Sequence, residues 1–216
     1  MNVVRGFNTT YVVHQLVADL FGDRVDRGYL YRVLSGTAKE VEVLILSGDP
    51  PTQESPLREW GEVLCVESRE YDVKLAPGQT LDFELRFNAT RVVTDAEGRK
   101  SRVDAWDAVF REDRETPRTP HDVYRDYLER RLGETATLLS ANVVERCEQR
   151  AARRGRKAIR FVSTNLIGSL TVRDPAAFLG VIFDGIGRAK AFGQGLLCLS
   201  RPGTILPRRY GGDIPL

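Results

Sequence analysis

Residues 185–195 read Gly-Ile-Gly-Arg-Ala-Lys-Ala-Phe-Gly-Gln-Gly, four glycines bracketing Arg188 and Lys190. Glycine takes φ > 0 without a Cβ penalty and lets a backbone pass close to another group. Freed N–H groups beside cations can then line an anion site. Upstream, Asp174-Pro175 opens a helix with Phe178, Val181 and Ile182 facing inward, and it stops at Gly185. Downstream, Leu196-Leu197-Cys198-Leu199 is a short apolar run of buried-strand type. The loop therefore leads from helix to strand. A Walker loop and a dinucleotide fingerprint both lead from strand to helix. The first needs Gly-x-x-x-x-Gly-Lys and the second a third Gly at the Lys190 position. The segment predicts either a tight helix–strand connection or a contact to a phosphate backbone, and the cations favour the second.

Charge is distributed to the same end. The net charge of +2 hides a split: residues 1–108 hold 13 Lys/Arg against 18 Asp/Glu, and residues 109–216 hold 19 against 12. Arg150, Arg153, Arg154, Arg156, Lys157 and Arg160 share a stretch with no acidic residue, and 185–209 is also free of acid. One such cluster would read as a solvated basic hairpin. Two in one half are the electrostatic footprint of a polyanion partner. No apolar run reaches the ~18 residues a membrane span needs, and Met1–Leu20 lacks a basic-then-apolar leader. A cytoplasmic protein with no membrane partner is expected. Cys65, Cys147 and Cys198 are odd in number, widely spaced and in apolar contexts, which favours reduced thiols over disulfides or a zinc site.

Hydrophobic periodicity divides the chain in two. Asn2–Gly6 reads as a strand. A helix capped by Thr9 or Thr10 follows, with Val13, Leu16, Val17, Leu20 and Phe21 as its apolar stripe and Gly22 as its end. Tyr29–Leu34 and Val41–Ser47 form a hairpin. A short helix near Leu57–Trp60 and a strand near Glu70–Leu75 complete a β-α-β-β-α-β unit. Ala76-Pro77-Gly78 sets the boundary, giving domains 1–78 and 79–216. The second unit opens with a long strand over Thr80–Val93, then a charged, proline-bearing loop over 111–120. A helix runs from Thr119-Pro120 to about Leu132. Strands near 136–148 and 157–172 follow, with Gly155 at their tip, then the 175–185 helix, a last strand at 195–200 and a tail after Pro202. The prediction is an α+β protein of two tandem ferredoxin-like (RRM-like) domains.

Of the two histidines, His121 sits beside Pro120 in the first turn of a charged helix and is given no role. His14 is different. At 100° per residue it falls roughly 90° from the centre of the Val13–Phe21 stripe, on the margin where a cleft wall would be. Histidine is the side chain suited to proton transfer near neutral pH. Tyr11, three residues earlier on the same flank, can hydrogen-bond or stack on a base.

Several blocks now stand in order: Tyr11-Val-Val-His14, Leu20-Phe21-Gly22-Asp23, Tyr29-Leu-Tyr-Arg32, Leu46-Ser47-Gly-Asp-Pro50-Pro51, Phe83-Glu-Leu-Arg-Phe-Asn88 and the glycine loop. Together they resemble the CRISPR repeat-processing endoribonucleases of the CasE type, the RNA-cutting subunits of type I-E Cascade. Gly185-Ile186-Gly187 and Gly193-Gln194-Gly195 follow that superfamily's glycine pattern, except that Gln194 stands where a second hydrophobic residue is usual. The resemblance implies paired RRM-like folds that bind the stem-loop of a CRISPR repeat transcript and cut at its 3′ base without metal or cofactor. Attack by the 2′-hydroxyl leaves a 5′-hydroxyl and a 2′,3′-cyclic phosphate. It places the catalytic His and Tyr at His14 and Tyr11, makes Lys190 a candidate to assist a proton transfer or hold the scissile phosphate, and gives the stem to the Arg150–Arg160 segment. Gly185, Gly187, Arg188, Gly193 and Gly195 become RNA-backbone contacts, and other Cascade subunits become partners. In-line cleavage needs one proton removed, one delivered and extra phosphorane charge stabilised, so His14 cannot serve both ends at once. Two other readings fit less of the chain: a non-catalytic subunit that only caps the RNA hairpin, and a paired domain for protein assembly alone.

Overall fold

The computed structural model describes residues 9–22, 27–36, 40–51, 67–112, 118–152 and 157–204. The strand expected at Asn2–Gly6, the helix at Leu57–Trp60, Cys65, and Arg153, Arg154, Gly155 and Arg156 lie outside the described residues, as does most of the tail.

In the N-terminal unit, α1 (Thr9–Asp19) packs on a hairpin of β1 (Tyr29–Gly36) and β2 (Val41–Ser47). Val13, Val17 and Phe21 recur every fourth residue, so they fall on one face, and they are buried against Tyr29 and Tyr31. Phe21 stacks on Tyr29 with ring centroids 4.4 Å apart. The hairpin is antiparallel, with Tyr31 opposite Ile45.

The C-terminal unit has β3 (Thr80–Phe87), β4 (Thr90–Thr94), β5 (Lys100–Asp104), α2 (Ala105–Glu112), α3 (Pro120–Leu132), β6 (Ala136–Ala151), β7 (Ile159–Val172), α4 (Pro175–Asp184), a 3-10 turn (Lys190–Phe192) and β8 (Leu197–Ser200). Its main sheet runs β6-β7-β3-β8, antiparallel throughout. The first strand of the unit thus lies between the third and the fourth, the winding of a ferredoxin-like βαββαβ fold. Phe83, Leu85 and Phe87 alternate onto the helix side of β3, where they meet Tyr124 and Leu128 of α3 and Phe178 and Ile182 of α4. All are at most 1% exposed. Each such buried side chain contributes about 1.5–3 kcal/mol over an exposed one. The helices start on local signals. Thr119 and Asp122 form a reciprocal capping box before Pro120, and Asp174 accepts from the Ala177 amide before Pro175.

Three expectations need correction. Residues 67–76 form no strand. Tyr71 instead sets its ring edge against Phe183 at 5.9 Å, and Leu75 packs on the C-terminal core. The long strand over Thr80–Val93 is two strands. The chain leaves the sheet at Asn88, whose side-chain amide donates to the Val162 carbonyl at 2.8 Å, and β4 pairs with β5 instead. The loop expected over 111–120 yields its first two residues to α2, a helix unread in the sequence, whose first turn is held by Asp104 accepting from the Trp106 amide at 3.1 Å.

Candidate active site and nucleic-acid interface

The N- and C-terminal units meet at the glycine loop, and His14 stands at that seam. The Thr10 hydroxyl donates to Gln149 Oε1 of β6 at 3.4 Å. One turn later the His14 imidazole lies edge-on to Phe192 of the 3-10 turn, centroids 5.3 Å apart, and Tyr11 sits 5.9 Å from it on the other side. Phe192 is in turn stacked on Phe161 of β7 at 5.6 Å. His14 Nδ1 is buried with no hydrogen-bond partner among the described residues. The pKa of the ring is pulled below its ordinary 6.5, first by burial and then by the positive charge of Arg27. The Ala191 carbonyl and Asp19, which favour the charged ring, offset this only in part. Burial and Arg27 together thus favour the neutral imidazole.

The Ala191 carbonyl is itself fixed. It accepts from the Tyr31 hydroxyl at 2.9 Å, and burial pushes that phenol well above its ordinary pKa. The loop's glycines explain how the hairpin gets so close. Gly185 has φ 70° and ψ 158°, a region essentially reserved for glycine. A Cβ there would lie 2.7 Å from a Leu30 methyl, and one at Gly193 would lie 3.0 Å from the Tyr31 ring. Gly187 and Gly195 face the loop's own surroundings, the backbones of Asn88 and Ile186. Two glycines thus admit the N-terminal hairpin and two admit neighbouring main chain.

Several loop amides are engaged within the protein. Ile186 N–H donates to Gly195 O at 2.9 Å, Arg188 N–H to Asn88 O at 2.9 Å, and Gly195 N–H to Arg86 O at 2.7 Å. Those amides are therefore not free to line an anion site. Arg27, Gly187, Arg188, Ala189, Lys190 and Ala191 line a groove of about 330 Å³. Arg188 is exposed. The Lys190 ammonium donates to the Asp184 carbonyl at the end of α4, where a cation also suits the helix dipole. Ala189 holds φ 54°, the only non-glycine among the described residues with positive φ, which strains the backbone between the two cations.

Gln194 is 4% exposed and accepts from the Ser163 hydroxyl at 2.9 Å, while its own amide donates to the Phe192 carbonyl at 3.4 Å. The departure from a hydrophobic residue is thus matched by a hydroxyl on β7. Beneath the seam the buried Arg32 guanidinium of β1 pairs with Glu84 of β3, whose Oε1 also accepts from the Asn165 side chain at 3.0 Å. On the β6–β7 ribbon, Arg150 stands opposite Arg160, and Arg150, Lys157 and Arg160 are all exposed. Arg160 reaches Glu148 at 3.5 Å. Cys147 and Cys198 are free thiols.

The sequence-predicted residues His14, Tyr11, Arg188 and Lys190 are therefore gathered at one seam, with the basic ribbon leading away from it. Phe192, Tyr31 and Arg27 went unread as site residues. Phe192 was visible as the one aromatic inside the glycine loop. Arg27 carries no local signal, since only the fold brings it beside residues 187–191. Among the described residues no three His, Cys, Asp or Glu side chains converge as metal ligands, and no helix is long and apolar enough to cross a membrane.

Tandem ferredoxin-like units joined through a glycine-rich helix-to-strand loop define a recognisable class. The family model described as CRISPR associated protein matches residues 3–201, and the chain belongs to that family. It is 26% identical over 193 residues to the CRISPR system Cascade subunit CasE of Escherichia coli K12, covering 88% of this chain and 91% of that one. Its fold is shared with the crystal structure of the CRISPR-associated protein Cas6e from Escherichia coli K-12, with a TM-score of 0.67 and 22% identity over 91% of this chain and 95% of that one. It is shared equally with Thermus thermophilus Cse3 bound to an RNA representing a pre-cleavage complex, with a TM-score of 0.66 and 24% identity over 88% of each chain.

Proposed function

We propose that the protein is a metal-independent endoribonuclease that cuts CRISPR repeat transcripts at the 3′ base of the repeat stem-loop and stays on the RNA hairpin as a Cascade subunit. The observation that carries this reading is the half-buried His14 set edge-on against Phe192 beside a groove lined by cations. Its relatives support the assembly: one is named a Cascade subunit, and another was solved with RNA in a pre-cleavage state.

The His14 imidazole takes the 2′-hydroxyl proton. The 2′-oxygen attacks the adjacent phosphorus and the bond to the 5′-oxygen breaks. Tyr11 returns a proton to that leaving oxygen, while the Lys190 ammonium, anchored on the Asp184 carbonyl, keeps N–H groups for the phosphate. The products are a 2′,3′-cyclic phosphate and a 5′-hydroxyl. Arg188 and the exposed Arg150, Lys157 and Arg160 hold phosphates of the A-form stem, where affinity is electrostatic and weakens with salt.

The test is cleavage of a repeat hairpin by His14→Ala. The rate should fall by a factor on the order of 10²–10⁴ with hairpin affinity little changed. In the wild type the rate should rise with pH through a value below 6.5, the direction of the His14 shift, and then level off. Chelator should not matter. Equal cutting by the variant sinks the role of His14, and activity lost to EDTA and regained with Mg²⁺ sinks the metal-free reaction.

A further inference from the structure

Resting on that reading, we propose that Arg27 and Arg188 form the two walls of a seat for the scissile phosphate, which makes Arg27 a catalytic residue contributed by the chain just before β1. Both guanidinium-bearing residues line the same groove, from opposite sides of the seam. Both are exposed. Neither forms a salt bridge among the described residues, whereas Arg32, Arg86, Arg118 and Arg146 each meet a carboxylate.

Two like charges facing one cleft repel until an anion joins them, and an RNA phosphate is an anion that two guanidinium forks can grip. Arg27 is also oriented: its guanidinium carbon lies 5.9 Å from the Tyr29 ring centroid, over the ring. Its charge is felt at His14, so an anion seated against it lies within the reach of the imidazole's field. A group on the phosphate at that point stabilises charge that grows during phosphorane formation.

The experiment uses the full chain and repeat hairpins with a 2′-deoxy nucleotide, which cannot be cut. A neutral methylphosphonate is placed in turn at each linkage along the 3′ side of the stem base. In the wild type one position should weaken binding about tenfold, the loss of one charge-assisted contact. In Arg27→Ala the penalty at that position should shrink to the part that Arg188 supplies, while Arg27→Lys should keep more of it. On cleavable hairpin, Arg27→Ala should cut about a hundredfold more slowly at saturating RNA. The inference is overturned if no linkage is sensitive, if Arg27→Ala shows the wild-type penalty, or if it cuts within threefold of wild type. If the wild type cuts no repeat hairpin, the proposed function fails separately, and the linkage scan still reports on the phosphate seat.

Discussion

The two units are built to different standards. The C-terminal one is a four-stranded sheet closed by two capped helices over a large apolar core. In the described part of the N-terminal one, a helix lies on a two-stranded hairpin around five buried residues. Two-stranded hairpins are marginal alone, and this one leans on its neighbour: Leu30 seats on Gly185, Tyr31 holds Ala191, and Arg32 is buried against Glu84. The sturdier unit is the scaffold. The lighter one carries His14.

That contrast can be broken first at Glu84. Glu84→Ala removes the carboxylate that the buried Arg32 guanidinium meets, which costs about 3–5 kcal/mol. Urea unfolding should register a greater loss of stability for Glu84→Ala than for Gly185→Ala, and a change under ~1 kcal/mol would mean the units do not depend on this pair. Gly185→Ala comes next. It puts a Cβ into Leu30 in a backbone region that only glycine occupies easily, at a cost of about 1–3 kcal/mol. As the hairpin lifts, the His14 pKa should climb back toward 6.5, measurable by NMR titration. An unmoved pKa would detach His14 from the loop. The smallest effect belongs to Ala189→Gly, which relieves a left-handed alanine and should stabilise by up to ~1 kcal/mol. A destabilised variant would show that the loop's shape is not limited by strain there.

The sequence was most legible where one short-range signal decides an element. Thr119-Pro120 and Asp174-Pro175 marked both sheet-covering helices, and the Val13–Phe21 spacing marked α1 and left His14 on its shoulder. It misled where alternation was taken for pairing. Tyr71, Val73 and Leu75 alternate because the chain lies on a surface, and β4 alternates against β5 rather than within the sheet. Arg27 and Tyr31 were illegible for another reason: Arg27 lines a groove with Arg188, and Tyr31 bonds Ala191, each across more than 150 residues. The glycines were read as freeing amides for an anion, whereas the described contacts show them mainly making room for Leu30, Tyr31 and neighbouring backbone.

The Tyr31–Ala191 hydrogen bond joins residues 160 positions apart, so it forms only when translation is nearly complete. Chains emerge N-terminus first at roughly 5–20 residues per second, so His14 is in solution many seconds before the turn that carries Phe192. Until that turn is made, the histidine has neither its aromatic backing nor the loop side of its groove. A half-translated chain would carry the histidine without the groove that faces it.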